Sequence, residues 1–131
     1  MARVSVIVLA FQHEGYLAEC LDSVLAQRTT HEFEILIGQD ASTDDTPAIC
    51  DRYAAMDPRI RVFHRANERK WHIEGHPTGR ASCLDLLQRA TGNFVTLLDG
   101  DDGWLASQHI QRQVDTMVAD PSCMGTYHAT R

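Results

Sequence analysis

Basic residues are scarce in this 131-residue chain: 12 Lys and Arg stand against 18 Asp and Glu, a formal charge of −6. With a pI near 5.5 and no strongly basic stripe, it lacks the surface that nucleic acid or an anionic membrane requires, so neither is an expected partner. Long hydrophobic runs are also missing. Val4 to Phe11 is apolar but far too short to span a bilayer, and a polar segment follows at once, so neither a membrane span nor a signal peptide is expected. Closely paired cysteines are absent. Cys20, Cys50, Cys83 and Cys123 are well spread, which excludes a CxxC redox or zinc frame and suggests buried thiols in a reducing cytoplasm. There is no internal repeat and no low-complexity tract. No Gly-rich loop bearing Lys or Arg follows the first apolar run, which counts against a nucleotidyltransferase.

What is present is enough apolar material, 44% of residues, for one sizeable core, so a single domain over residues 1–131 is expected. Strand-like and helix-like segments alternate, pointing to α/β architecture with a mostly parallel sheet. Val4 to Leu9 reads as a strand covered on both faces. Gly15 to Gln27 reads as an amphipathic helix through Leu17, Cys20, Leu21, Val24 and Leu25. Phe33 to Gly38 gives a second strand. Its helix opens at Thr46-Pro47, with Thr46 as N-cap, and buries Ile49, Cys50, Tyr53 and Ala54. Ile60 to His64 is a third strand. Thr78 to Thr91 carries Ala81, Leu84, Leu87 and Ala90 as a helical stripe, with Gly92 as a left-handed terminator. Phe94 to Leu98 predicts a buried strand, and Ala106 to Ala119 a final helix stopped by Asp120-Pro121.

The chemistry concentrates at Leu98-Asp99-Gly100-Asp101-Asp102, three carboxylates in four residues after a strand. Like charges this close repel and raise one another's pKa unless a cation neutralises them. Mg²⁺ and Mn²⁺ prefer oxygen ligands and are held by one or two carboxylates together with substrate phosphates. The plainer reading is a turn whose Asp residues cap the next helix. Carboxyl ends of parallel strands are where open α/β sheets bind ligands, and a second polar cluster, Gly38-Gln39-Asp40-Ala41-Ser42-Thr43-Asp44, falls at the same edge. Gly38 and Ala41 are small enough for a flat ligand to lie against backbone, and Asp40 can accept a hydrogen bond from a base or ribose. Ser42, Thr43 and Asp44 serve equally well as a turn into the following helix. Phe11 offers a face on which a base can stack, or simply packs. Arg65 to Pro77 is the least regular stretch. Its Arg65, Arg69 and Lys70, with Arg80 beyond, suit a cationic clamp for a diphosphate or a solvated loop. His64, His72 and His76 lack a zinc-site frame. Trp104 walls either a sugar or the core.

In this order, Val4 to Val8, Leu21 to Gln27, Glu34 to Asp44, Asp57 to Val62 and Leu98 to Asp102 resemble the inverting family 2 glycosyltransferases of the GT-A fold. Gln111 to Asp115 with Asp120-Pro121 resembles the helix after that family's metal loop. The resemblance implies a Rossmann-like, mostly parallel sheet with helices on both faces, truncated relative to typical members. It implies a nucleotide-diphosphate sugar donor, commonly a UDP-sugar, passed with inversion to a saccharide, lipid-linked or other acceptor. Asp40 then matches the acid on the base, Phe11 and Ala10 line the base pocket, and Arg80 adds to the donor site. Asp101 matches a ribose-side carboxylate and, with Asp102, the Mn²⁺ or Mg²⁺ ligands, while Asp99 supports the loop or sugar. The setting implied is bacterial cell-surface polysaccharide synthesis, in the cytoplasm or at the inner face of the membrane.

Departures from that family pattern accompany the likeness. Leu9-Ala10-Phe11-Gln12 replaces Pro-Thr-Tyr-Asn, Gln39 stands where an acid commonly precedes Asp40, and Gly75-His76-Pro77-Thr78-Gly79-Arg80 replaces an Asn-rich segment. The general base is expected outside these residues. A non-catalytic nucleotide-binding or assembly module is the alternative, and an exposed sheet edge would favour homo-oligomers.

Overall fold

The computed structural model describes residues 2–66 and 70–128. Its elements run β1 (Arg3–Ala10), α1 (Leu17–Leu25), β2 (Glu32–Asp40), α2 (Thr46–Met56), β3 (Ile60–Arg65), β4 (Trp71–Ile73), β5 (His76–Thr78), α3 (Arg80–Arg89), β6 (Phe94–Asp99) and α4 (His109–Ala119). Four strands form a parallel sheet in the order β3-β2-β1-β6. The chain builds outward from β1 to β3 and then returns to place β6 on the other side of β1. That reversal is a topological switch point, and ligands bind outside the carboxyl ends of strands at such points. Register brings those ends level: Leu9 pairs with both Gly38 and Asp99, and Ala10 with Gln39.

Side chains alternate across the sheet with period two. Val4, Val6 and Val8 join Ile35, Ile37, Leu17, Leu21, Val24, Cys50, Tyr53, Ile110 and Val114 in the larger core, under α1, α2 and α4. On the opposite face Ile7, Leu36 and Leu86 form a smaller core under α3. Helices therefore cover both faces, the Rossmann-like arrangement expected of the sequence.

Four local expectations are corrected. The stripe in α3 is Ala81, Ser82 and Leu86, whereas Leu84 and Leu87 are 45% and 40% exposed. Residues at three-residue steps drift around a helix of 3.6 residues per turn, while Ser82 and Leu86, one turn apart, stay on one face. Strand β6 is an uncovered edge on that same side, leaving Val95 and Leu97 44% and 56% exposed, because α3 lies over β1 and β2. Asp45 holds the N-cap position of α2, and Thr46 is its first residue. Its hydroxyl accepts from His13 N–H at 2.9 Å, while its own N–H donates to Asp44 Oδ1 at 2.9 Å. Gly92 is not left-handed, since Gly75 is the positive-φ glycine among the described residues.

Gly92 is required for a different reason. A Cβ there would lie 2.6 Å from Ser5 N and 2.8 Å from Phe94 O, both backbone atoms that cannot step aside. Gly92→Ala is therefore expected to destabilise the fold by about 1–3 kcal/mol, the usual cost of overpacking. Urea unfolding with an unchanged midpoint would refute this. The stretch around residue 70 is likewise more regular than its sequence suggests: β4 and β5 form an antiparallel hairpin. Arg69 lies outside the described residues.

Candidate functional site

The loops after β1 and β2 are laced together. Gln12 N–H donates to Ser42 Oγ at 3.0 Å, its Nε2 to Thr43 Oγ1 at 2.9 Å, and its Oε1 accepts from Thr43 N–H at 2.6 Å. Gln12 and Ala41 both take left-handed backbone, with φ of 54° and 58°, a conformation that costs a non-glycine residue about 1–2 kcal/mol. Gln39 helps hold the second by accepting Ser42 N–H at 2.7 Å. Ser42, Thr43 and Asp44 thus serve the scaffold, and the plainer reading of that segment holds. Its effect is to fix the positions of Phe11 and Asp40.

Between these loops and the start of α3 lies a cavity of about 440 Å³ lined by Ala10, Phe11, Asp40, Lys70, Arg80 and Asp99, among others. Gly38 also lines it, but smallness there serves packing. A Cβ would collide with Ser82 Oγ and stand 3.0 Å from Leu86 Cδ1. Asp40 is 5% exposed and its buried Oδ1 has no hydrogen-bond partner among the described residues. Burial pushes its carboxyl above the usual carboxylate range, and the nearby charges of Lys70 and Arg65 oppose that shift. Lys70 Nζ lies 4.0 Å from Asp40 Oδ2 and 3.6 Å from the centroid of the Phe11 ring. Arg65 is turned toward α3, donating to Ala81 O at 3.2 Å and lying 3.6 Å from Asp85. Of the expected clamp, Lys70 and Arg80 line the cavity and Arg65 does not.

The acidic loop hangs from the end of β6. Gly100 N–H donates to Leu9 O at 2.8 Å and Asp102 N–H to Asp99 O at 2.9 Å. A side chain at Gly100 would meet His13 Nδ1 at 2.7 Å. Asp99, Asp101 and Asp102 are all exposed, and one oxygen from each falls within 4.8 Å of the others. Three hard oxygen donors at this separation fit a divalent cation bonded at about 2.0–2.6 Å. They are the one such cluster among the described residues. His64, His72 and His76 do not converge, and His64 is bonded to Gln39 and Asp51.

Asp99 faces two spaces. Besides the first cavity it lines a second, of about 760 Å³, together with Asp102, Trp104, His109 and Arg112. Asp101 lines neither and lies 3.9 Å from His13 Nε2. Trp104 is 8% exposed and stacks on His109 with 4.4 Å between ring centroids, so it belongs mainly to the core. Burial, then the neighbouring His128, holds His109 below the ordinary histidine range. Cys20 donates to Asp99 O at 3.6 Å from beneath. Burial first, then the three acids, pushes its thiol up to about 12, which makes it inert as a nucleophile at neutral pH.

The structure brings Ala10, Phe11, Asp40, Arg80 and Asp99 to one cavity and sets Asp101 and Asp102 beside it. Lys70 was legible only as one charge in an irregular segment. A stronger signal was its singularity, since it is the chain's one lysine against eleven arginines.

Comparison with known proteins places the sequence and the fold. The family model described as Glycosyl transferase family 2 matches residues 5–130. An uncharacterized protein of Mycobacterium tuberculosis is 34% identical over 128 residues, 98% of this chain and 35% of that protein. Mannosyltransferase PcManGT from Pyrobaculum calidifontis, solved with GDP-Man and Mn²⁺, aligns with a TM-score of 0.75 at 27% identity, over 92% of this chain and 33% of its own. TarS of S. aureus, solved with UDP-GlcNAc, gives 0.69 at 26%, over 89% of this chain and 31% of its own. The chain spans about a third of the length of these relatives. By sequence and by fold it belongs to glycosyltransferase family 2.

Proposed function

We propose that residues 1–131 form the donor-binding domain of an inverting glycosyltransferase that uses a nucleoside-diphosphate sugar, with UDP as the favoured nucleotide. The observation that carries this reading is the juxtaposition of a buried, unpartnered Asp40 Oδ1 with a cluster of three carboxylates at one sheet edge. The first asks for a hydrogen-bond donor, as the imide N–H of uracil supplies, because a buried acceptor left unpaired costs about 1–3 kcal/mol. The second asks for a cation, and PcManGT, solved with GDP-Man and Mn²⁺, and TarS, solved with UDP-GlcNAc, support the reading.

In this reading Phe11 stacks on the base and Ala10 lines its pocket. Asp40 fixes the base edge, Asp101 takes a ribose hydroxyl, and Arg80 faces the diphosphate. Asp102 and Asp101 hold Mn²⁺ or Mg²⁺, which supplies Lewis-acid neutralisation of the charge on the departing diphosphate. The space beside Asp102 and Trp104 receives the sugar and its acceptor. No described helix is long and apolar enough to cross a membrane. Calorimetric titration with UDP and GDP tests the reading: binding that appears with Mn²⁺ and is lost on chelation is expected. Failure of both nucleotides to bind, with or without metal, would overturn it.

A further inference from the structure

Lys70 is the chain's one lysine, and its side chain is only 4% exposed. Buried ammonium groups ordinarily spend their three donors on acceptors. Among the described residues this one makes no hydrogen bond. It is held by the face of Phe11, 3.6 Å from the ring centroid, and by Asp40 Oδ2 at 4.0 Å. Directly beside it, Asp40 Oδ1 has no hydrogen-bond partner among the described residues. Asp40 Oδ1 is thus desolvated and unsatisfied, and the ammonium beside it rests on a ring face and a charge alone.

Those two distances put the ammonium against the face of the Phe11 ring and within reach of the Asp40 carboxylate. A base stacked on that ring face would lie about 3.5 Å above it, at ordinary carbon contact distance. To donate to Asp40 its edge must come within about 3 Å of an oxygen. Both requirements describe the volume that Nζ already fills. We infer that in the nucleotide-free chain Lys70 stands in for the nucleobase, and that base binding expels it. This rests on the nucleotide reading given above.

The exchange is chemically even. A base N–H replaces the ammonium as the partner of Asp40, and a π-face replaces the cation on Phe11. Unlike the ammonium, a flat base edge can also reach the orphaned Oδ1. The segment carrying Lys70 is able to yield. Among the described residues β4 and β5 pair only with each other, and Trp71, His72, Ile73, His76 and Pro77 are all exposed, so little buried surface anchors the hairpin. Because only the fraction of molecules with Lys70 outside the pocket is competent, apparent nucleotide affinity falls by that fraction.

A single lysine makes the test direct. In the chain labelled with [ε-¹³C]lysine, the ε-methylene protons of Lys70 are expected upfield of an exposed lysine because of the Phe11 ring current, and Phe11→Leu should remove that displacement. Saturation with UDP or GDP in the presence of Mg²⁺, with binding followed by calorimetry, should return the resonance to the exposed position. Acetylation of Lys70 by acetic anhydride, read by peptide mass mapping, should speed up at least about tenfold as the expelled state becomes the major population. A resonance that stays upfield, with acetylation slowed while nucleotide is bound, would make Lys70 a fixed wall of the pocket and overturn the inference alone. If neither nucleotide binds, the donor reading falls and this inference falls with it.

Discussion

Asp102→Ala is expected to weaken Mn²⁺-dependent UDP binding at least about a hundredfold while leaving the fold intact. Outer partners of metal ligands already cost about 10- to 100-fold when lost, and Asp102 is proposed as a direct ligand. The fold should tolerate the change because all three acids are exposed and donate nothing to the core. Relief of repulsion among them should, if anything, raise the melting temperature slightly. Asp101→Ala should act in the same direction through the same cation. Asp99→Ala should differ, because Asp99 alone borders both the Phe11 cavity and the space beside Trp104. Calorimetry with and without chelator separates the effects: wild type and Asp102→Ala should bind UDP equally weakly once the metal is removed. Equal affinity in the presence of Mn²⁺ would remove Asp102 from the metal site.

The parts of this site that were legible in the sequence are those dictated by local pattern. Aliphatic runs ending in polar clusters placed Phe11, Asp40 and the acidic triplet at strand ends, and parallel pairing then brought those ends level. What escaped depends on tertiary neighbours. Nothing local distinguishes the exposed β6 from a buried strand, because Phe94 to Leu98 carries apolar residues on both faces and only the position of α3 uncovers one of them. Gly38 looked like room for a ligand and is room for Ser82 and Leu86. Lys70 read as either a clamp for a diphosphate or a solvated charge, because its contacts with Phe11 and Asp40, some sixty and thirty residues away along the chain, leave no local signal.

Strand β2 carries a second buried acid on the α3 face of the sheet, and its contrast with Asp40 yields the largest effect expected on stability. Glu34 Oε1 accepts from Ser5 Oγ at 2.7 Å and from Thr91 N–H and Oγ1 at 2.8 Å each, with Arg3 Nη2 3.5 Å from Oε2. Burial alone would push this carboxyl up, but the bonds from Ser5 and Thr91 and the charge of Arg3 outweigh it and hold the group below its ordinary 4.5. A depressed folded-state pKa stabilises the fold above the unfolded value and loses that contribution as the pH falls through the folded value. The acid-sensitive window for Glu34 therefore lies below about 4.5. Glu34→Ala strands three donors and should cost about 3 kcal/mol at neutral pH. Glu34→Gln can keep the bonds at Oε1 while losing the charge, and should cost about 1 kcal/mol. In urea unfolding, the gap between wild type and Glu34→Gln should close on acidification, since a protonated Glu34 and a glutamine are electrically alike. A gap that stays constant from neutral pH to well below 4.5 would sink this account. Of the two acids, the one at the amino end of β2 has both oxygens engaged and belongs to the scaffold, whereas Asp40 at the carboxyl end keeps Oδ1 without a partner among the described residues, where a ligand is proposed to bind.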